Sequence, residues 1–259
     1  MQLSPITPLI LTWNEERNLR RCLERLRWAR EVVIVDSGSG DATEAIAAEF
    51  PNVRFVTRAF DDHTTQWNYG VNAVQTTWVL SLDADYVLGE AFEQELAALP
   101  QEPDCDAFFA GFRYLIYGRP LRACLYPPRA VLFRKDRCSY RPDGHTQLLH
   151  VPGRSGMLNT RIDHDDRKPL SRWFSSQDKY ARLEAEKLLA LPAAEMHLQD
   201  RIRRTMILGP FVVFAYTLLV RGALLDGWHG WFYALQRTLA ELILSLRLLE
   251  KRLTQNSND

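Results

Sequence analysis

Three apolar runs constrain this chain more than any other feature, because each stops abruptly in a cluster of acidic, amide and hydroxyl residues and helical periodicity lies between them. Residues 8–12 (Pro-Leu-Ile-Leu-Thr) run into Trp13-Asn14-Glu15-Glu16. Residues 32–35 (Val-Val-Ile-Val) run into Asp36-Ser37-Gly38-Ser39-Gly40-Asp41, and residues 78–82 run into Asp83-Ala84-Asp85. Four consecutive β-branched residues read as a strand buried on both faces. After the first run, Leu19, Cys22, Leu23, Leu26 and Ala29 recur at helical spacing, with Arg17, Arg20, Arg21, Glu24 and Arg25 on the other faces. Asp41 or Thr43 is placed to cap a helix through Phe50, residues 53–56 form a third short strand, and residues 66–75 suit another helix. Strands alternating with helices predict an α/β fold with a doubly wound, mostly parallel sheet flanked by helices. In such sheets ligands bind beyond the carboxyl ends of the strands, which is where the three polar clusters fall.

Length and composition set the outer bounds. The 259 residues allow one large domain with an appendage, read as residues 1–195 and 196–259. A content of 46% hydrophobic and 25% charged residues excludes collagen-like, intrinsically disordered and disulfide-scaffold chains. Lys and Arg total 32, as do Asp and Glu, so the broad positive field of a nucleic-acid-binding protein is missing and no nucleic-acid partner is expected. Cys22, Cys105, Cys124 and Cys138 form no C-x-x-C pair, which fits a reducing cytoplasm. The first apolar run is too short for a signal-peptide core and has no basic stretch before it, so export is not expected.

Beyond Pro103 the texture changes. Phe108, Ala110, Phe112, Tyr114 and Ile116 alternate, a Gly118-Arg119-Pro120 turn follows, and residues 130–133 are apolar, which predicts antiparallel strands added to the sheet. Residues 170–190 return to helical period, with Trp173, Gln177, Tyr180, Leu183 and Leu188 on one face. Residues 205–220 carry no charge, but they are interrupted by Gly209-Pro210 and fall short of the ~20 apolar residues needed to span a bilayer. Residues 228–249 include Trp228, Trp231, Phe232, Tyr233 and Leu235, with Arg237, Arg247, Lys251 and Arg252 in or near the segment. They predict an amphipathic helix lying at a membrane surface. From residue 201 onward eight Lys/Arg face four Asp/Glu, a local basic excess suited to anionic lipid. The other reading is a helical subdomain that packs on itself or on a second subunit.

The chemistry rests first on Asp83 and Asp85. In an extended segment, period-two alternation puts both carboxylates on one side, and Mg²⁺ or a similar hard ion is usually held by one or two carboxylates together with substrate phosphates. Taken alone, Asp-x-Asp also describes a solvated turn. Asp36 ends a strand in a Ser/Gly-rich loop, where a carboxylate can accept hydrogen bonds from a base N–H or a ribose hydroxyl; a plain strand-to-helix turn reads the same way. Neither G-x-x-x-x-G-K-[ST] nor G-x-G-x-x-G occurs, which argues against a P-loop kinase and a dinucleotide oxidoreductase.

Four blocks in order carry a resemblance: residues 8–19 (PLILTWNEERNL), 33–43 (VIVDSGSGDAT), 67–73 (WNYGVNA) and 80–85 (LSLDAD). Together they resemble the signature blocks of family 2 glycosyltransferases with the GT-A fold. Residues 143–147 (DGHTQ) and 164–173 (HDDRKPLSRW), with Gln177, Tyr180, Glu184 and Ala185, are similar to the bacterial lipopolysaccharide core β-1,4-glucosyltransferase group.

The resemblance implies inverting transfer of a sugar from a nucleotide-sugar donor, UDP-glucose, to a lipopolysaccharide inner-core acceptor. A polyprenyl phosphate is the alternative lipid-linked acceptor. It implies that Thr12, Asn14, Glu15, Asp36, Ser37 and Gln66 line the nucleotide pocket with Asp36 on the uracil. Asp83 then lies on the ribose side, and Asp85 on a divalent cation, Mg or Mn, that bridges the diphosphate. Inversion needs a base opposite the leaving group. Asp143 and His145, flanking Gly144, are the candidates; Thr146 stands where many relatives carry the Glu of a His-Glu pair, and Asp143 is assigned as the base. His164 reads equally as a third metal contact or as a salt-bridged histidine in an acidic loop. Arg167, Lys168 and Arg172 read as phosphate contacts or as exposed charges at a helix start. The implied location is cytoplasmic, peripheral on the inner face of the plasma membrane. A reading of another class is a non-catalytic nucleotide-sugar-binding membrane scaffold.

Overall fold

The computed structural model describes residues 3–143, 146–192 and 194–256, with the side chains of 143, 146, 255 and 256 outside the description. The first half alternates as the apolar runs require: β1 (Ile6–Thr12), α1 (Leu19–Glu24), β2 (Val32–Asp36), α2 (Thr43–Ala48), β3 (Val53–Thr57), α3 (His63–Ala73) and β4 (Trp78–Asp83). A strand-rich stretch follows, made of β5 (Tyr86–Val87), α4 (Glu90–Ala98), β6 (Ala107–Ala110), β7 (Phe112–Ile116), β8 (Arg119–Pro120), β9 (Arg129–Arg134), β10 (Ser139–Asp143), β11 (Thr146–His150), β12 (Ser155–Met157) and β13 (Ile162–His164). The chain closes with helices α5 (Leu170–Ala190), α6 (Leu198–Arg204), α7 (Leu208–Ala215) and α8 (Gly227–Asn256).

The central sheet has seven strands in the order β12-β6-β9-β4-β1-β2-β3. β4, β1, β2 and β3 are parallel, and β9 runs antiparallel to both β4 and β6. The chain leaves β1 toward β2 and β3, then returns to place β4 on the other side of β1. That reversal opens a crevice at the carboxyl ends of β1 and β4. β2 is buried along its whole length, as a run of β-branched residues covered on both faces must be. Helix α3 lays Trp67 and Val71 over Leu9, Val33, Val35 and Val79 of the sheet. Gly70 permits that approach, since a Cβ there would press on the side chain of Leu9.

Several local expectations shift for identifiable reasons. α1 ends at Glu24 and continues as turns in which Leu26 and Ala29 stay buried, and Asn52 Nδ2 donates to both of their carbonyls, at 3.1 and 3.0 Å. α3 begins at His63 because Asp62 caps it, accepting from the Thr65 N–H at 2.9 Å. The antiparallel addition is β9 with β6, whereas β7 leaves the central sheet and pairs in parallel with β13 in a four-stranded sheet with β5 and β8. Asp83 closes β4 and the chain turns at residues 84 and 85, so that turn, and not strand alternation, sets the position of Asp85.

Contacts divide the chain into two compact units, residues 1–120 with 126–168, and residues 121–125 with 169–259. In the second unit α5 covers the expected 170–190 span, but its buried stripe runs through Ala181, Ala185 and Leu188, and Trp173, Gln177, Tyr180 and Leu183 stay only half-buried. These three residues pack against Met206, Leu244 and Leu248. α8 is thus the spine of this unit. Tyr233 is buried and its hydroxyl accepts the Leu125 N–H at 3.0 Å, while the buried Asp226 carboxylate accepts the Arg122 N–H at 2.9 Å. Gly230 lies so close to the carbonyl of Ala223 that a Cβ would collide with it.

Candidate active site

The carboxyl ends of β1 and β2 meet at Thr12 and Asp36, which are register partners in the parallel pair. Thr12 Oγ1 donates to Asp36 Oδ1 at 2.7 Å, and Ser39 Oγ donates to the same oxygen at 2.6 Å. The Gly38 and Ser39 N–H groups donate to Oδ2 at 2.9 and 2.7 Å. The buried carboxylate of Asp36 therefore spends both oxygens on the protein, curling the loop that follows β2. Asn14 completes the curl in a left-handed conformation, φ 54°. Its N–H donates to Ser39 Oγ and its side-chain oxygen accepts from the Gly40 N–H, both at 2.7 Å. Gln66, fully buried, donates from Nε2 to Ser37 Oγ at 3.1 Å, so α3 is tied to the same loop.

Glu15 joins this loop to a second cluster. Its N–H donates to Thr43 Oγ1 at 2.7 Å, while its side chain accepts from Asn18 Nδ2 at 3.0 Å and from Lys168 Nζ at 2.7 Å. Burial pushes the Glu15 carboxyl above its usual range and Lys168 opposes that rise. Burial also works against the charged form of Lys168, but Asp85 and Glu15 outweigh it and hold the ammonium above its ordinary value. Asn18, fully buried, binds the segment after β13 from both ends of its amide: Nδ2 donates to Asp166 Oδ1 at 3.0 Å and Oδ1 accepts the Arg167 N–H at 2.9 Å. Arg21 and Arg167 both clamp Asp165 at 2.7 Å.

The third corner holds Asp83, Asp85 and His164. The Asp165 N–H donates to the Asp85 carbonyl at 3.0 Å, which brings the end of β13 against the turn after β4. His164 Nε2 then lies 3.2 Å from Asp85 Oδ2. Burial raises the Asp85 carboxyl, but the adjacent His164 and Lys168 outweigh it and lower it to about 2. Burial favours neutral His164, and the neighbouring Asp85 reverses that and raises the imidazole. Asp83 behaves oppositely: burial and the charge of Asp85 both push it up, with Arg129 opposing. Tyr86, Tyr114 and Tyr126 surround His164 with ring centroids 4.7–5.3 Å away, and the hydroxyls of Tyr86 and Tyr126 are 2.9 Å apart.

Asp85 Oδ1 and His164 Nδ1 are buried and have no hydrogen-bond partner in the described chain. An orphaned carboxylate oxygen is costly unless something positive reaches it. Its hard, anionic chemistry suits a Mg or Mn ion, and His164 adds one nitrogen. Among the described residues no cluster of three or more His, Cys, Asp or Glu could hold an ion by itself. The residues therefore fit an ion whose shell is completed by phosphate and water.

Thr12, Asn14, Asp36, Ser37 and Gln66 thus assemble in one loop cluster, and Asp83, Asp85 and His164 in another, with Glu15 between them. Asp143 ends β10 opposite Thr146, and its side chain lies outside the described residues, as does His145 altogether. Lys168 and Arg167 are engaged by Glu15 and Asp165. Reasoning from sequence missed Asn18, Asp165 and the three tyrosines. Asn18 directly before a helical run was the one signal available, since Asn there commonly serves as a cap.

Residues 9–155 match the sequence profile of "Glycosyl transferase family 2". Over 99 residues the chain is 31% identical to lipopolysaccharide core biosynthesis glycosyltransferase LpsC of Rhizobium meliloti, a match covering 37% of each chain. It is 27% identical over 106 residues to an uncharacterized glycosyltransferase of Rickettsia bellii, covering 40% of this chain and 36% of that one. The chain thus spans little more than a third of the length of these relatives. Two solved structures share the fold. Mannosyltransferase PcManGT of Pyrobaculum calidifontis, in complex with GDP-Man and Mn²⁺, superposes with a TM-score of 0.54 at 13% identity over 95% of this chain and 88% of that one. Residues 1–349 of S. aureus TarS, in complex with UDP-GlcNAc, do so with 0.51 at 15% identity over 97% and 92%. With a GT-A-like α/β fold and a family match over more than half its length, the chain belongs to glycosyl transferase family 2.

Proposed function

We propose that this chain transfers a sugar from a nucleotide-sugar donor to a lipid-linked acceptor with inversion. The proposed donor is UDP-glucose and the proposed acceptor is the inner core of lipopolysaccharide. The observation that carries the reading is the unpartnered Asp85 Oδ1 beside His164, in the crevice at the carboxyl ends of β1 and β4. The relative LpsC supports the lipopolysaccharide acceptor by its description. A nucleotide-sugar in each of the two similar structures, with Mn²⁺ in one, supports the donor class and a divalent cation.

Asp85 and His164 are the residues that would hold Mg or Mn. When bound, the ion would offset the charge that builds on the departing nucleoside diphosphate. The chain's own work is positioning. The Asp36 carboxylate curls the loop of residues 37–40 so that its backbone can approach a nucleoside, and Gln66 holds Ser37 in place. Asp83, held by burial on the less acidic side, offers a carboxyl group to the ribose hydroxyls. Lys168 stays cationic next to Glu15 and within the field of Asp85, adding positive charge where a diphosphate would lie. Asp143 is assigned the proton of the acceptor hydroxyl, with the location peripheral on the inner face of the plasma membrane.

The test is a donor screen. The full chain is incubated with UDP-, GDP- and TDP-sugars and with either lipopolysaccharide core or polyprenyl phosphate, nucleotide release is measured, and the acceptor is weighed by mass spectrometry. Hexose added to the core acceptor from UDP-glucose is the expected product. Hexose on polyprenyl phosphate would replace the acceptor assignment, and no transfer with any pair would overturn the reading.

A further inference from the structure

Residues 207–228 put a concentrated apolar surface on the outside of the second unit. Ile207, Phe211, Leu219, Val220, Leu225 and Trp228 are each between 64% and 85% exposed. α7 continues through one wide π turn, Tyr216–Val220, and packs on α8 by a single face: Gly209, Pro210, Thr217 and Leu218 are buried and the Phe214 ring meets Trp231. The opposite face carries no charged residue. Helices that are apolar all round belong in a protein core or against lipid, and half of this one faces outward.

Length and charge identify what covers it. Among the described residues no single helix is long and apolar enough to cross a membrane; Leu208–Val220 passes only when joined to Ala223–Thr254 across a 65° bend. At ~1.5 Å per residue, Leu208–Val220 is roughly 20 Å long, well short of the ~30 Å hydrocarbon core. Gly222, at φ 77°, lies at the break where the chain bends by 65°. Exposed Arg201, Arg204 and Arg221 border the patch. Between residues 201 and 240 the one acidic residue is Asp226, which is buried with its carboxylate committed to backbone N–H groups. A symmetric contact with a second copy would bring these arginine rims together, whereas an anionic lipid surface complements them.

We infer that this face beds into one leaflet of an anionic bilayer, with α7 and its π turn lying along the interface without crossing. The inference deepens the membrane-surface part of the function proposed above and rests on that part alone. It also relocates the contact. Of the residues expected at the interface from sequence, Tyr233 is buried and Trp231 is turned onto Phe214, while Arg203 is drawn inward to the buried Glu241 at 2.6 Å. Trp228 and Leu235 stay exposed as expected, and the outer face of α7 takes the place of the others.

The test is flotation of the full chain with phosphatidylcholine vesicles with and without phosphatidylglycerol, alongside light-scattering mass in solution. Phe211→Glu and Leu219→Glu change exposed side chains and should leave the melting temperature unaltered. Each is expected to lose at least about tenfold in vesicle partitioning. Leu246→Glu, exposed elsewhere on α8, should float like the wild type, and Arg201→Glu with Arg204→Glu should weaken binding only where phosphatidylglycerol is present. Wild type floating while Phe211→Glu floats equally well would overturn the inference and leave membrane binding standing. Wild type failing to float in any lipid would overturn both, and a dimer that Phe211→Glu converts to monomer would make the face a self-association surface. Sugar transfer enters none of these readouts, so failure of the catalytic reading is scored separately.

Discussion

His164 presents Nε2 to Asp85 Oδ2 at 3.2 Å, and each partner keeps one further buried polar atom, Nδ1 and Oδ1, that nothing in the described chain satisfies. The pair is braced by the Asp165 N–H on the Asp85 carbonyl and by three tyrosine rings around the imidazole. A histidine in that position orients the carboxylate whether or not it touches the ion. His164→Ala is therefore expected to raise the divalent-cation concentration giving half-maximal turnover by about 10–100-fold. Unchanged cation dependence would remove His164 from this role.

Lys168 and Glu15 form an ion pair at 2.7 Å with both side chains largely buried. Removing one partner leaves the other charged and desolvated. Lys168→Met should cost roughly 3 kcal/mol in denaturant unfolding, and Glu15→Gln combined with Lys168→Met should recover most of it. A double-mutant coupling below about 0.5 kcal/mol would show that the pair contributes nothing of its own.

Asp143→Asn is expected to keep donor affinity and lower turnover by about 10²–10⁴, the range for losing a general base. His145→Ala serves as the comparison. If Asp143→Asn retains full activity and His145→Ala abolishes it at normal donor affinity, the base is His145.

Glu95 on α4 accepts the N–H groups of Asn159 and Thr160 at 2.7 and 2.8 Å. Burial works against its charge, but these donors outweigh it and hold the carboxyl below the ordinary 4.5. A depressed carboxyl stabilises the fold above its unfolded value and loses that contribution as pH falls through its folded value. Glu95→Ala should thus lie roughly 1 kcal/mol below wild type at neutral pH, and the difference should shrink below about pH 4.5. A gap in melting temperature that stays constant from pH 7 down to pH 3 would contradict this.

The parts of the fold that were legible in the sequence are those where one local rule decides. Val32–Asp36 is a strand because β-branched residues buried on both faces have no better option, and Leu170–Ala190 carries an uninterrupted helical period. Asp36 and Asp83 were legible because a carboxylate directly after an apolar run must sit at a strand end. Asn18 was not, since its role depends on Asp166 and Arg167 almost 150 positions away. The same holds for Tyr86, Tyr114 and Tyr126, which reach His164 from three different segments. In the second unit, periodicity marked α8 as amphipathic but could not say which face finds a partner. Tyr233 and Arg203 are satisfied inside by Leu125 and Glu241, so the expected interface shifts toward α7, while α8 keeps Leu235, Leu242, Leu246 and Leu253 exposed.

Nucleoside diphosphate release by wild type and Asp85→Ala, with acceptor and with either added Mn²⁺ or chelator, tests the central claim most directly. Asp85 is proposed to face the donor diphosphate, but its removal also strips the largely buried His164 of its partner, so turnover is compared at a temperature where melting curves show both proteins folded. Turnover of the variant should fall at least about 10²-fold, to the level that wild type shows in chelator. Equal turnover of variant and wild type, or wild-type turnover indifferent to chelator, would contradict the claim.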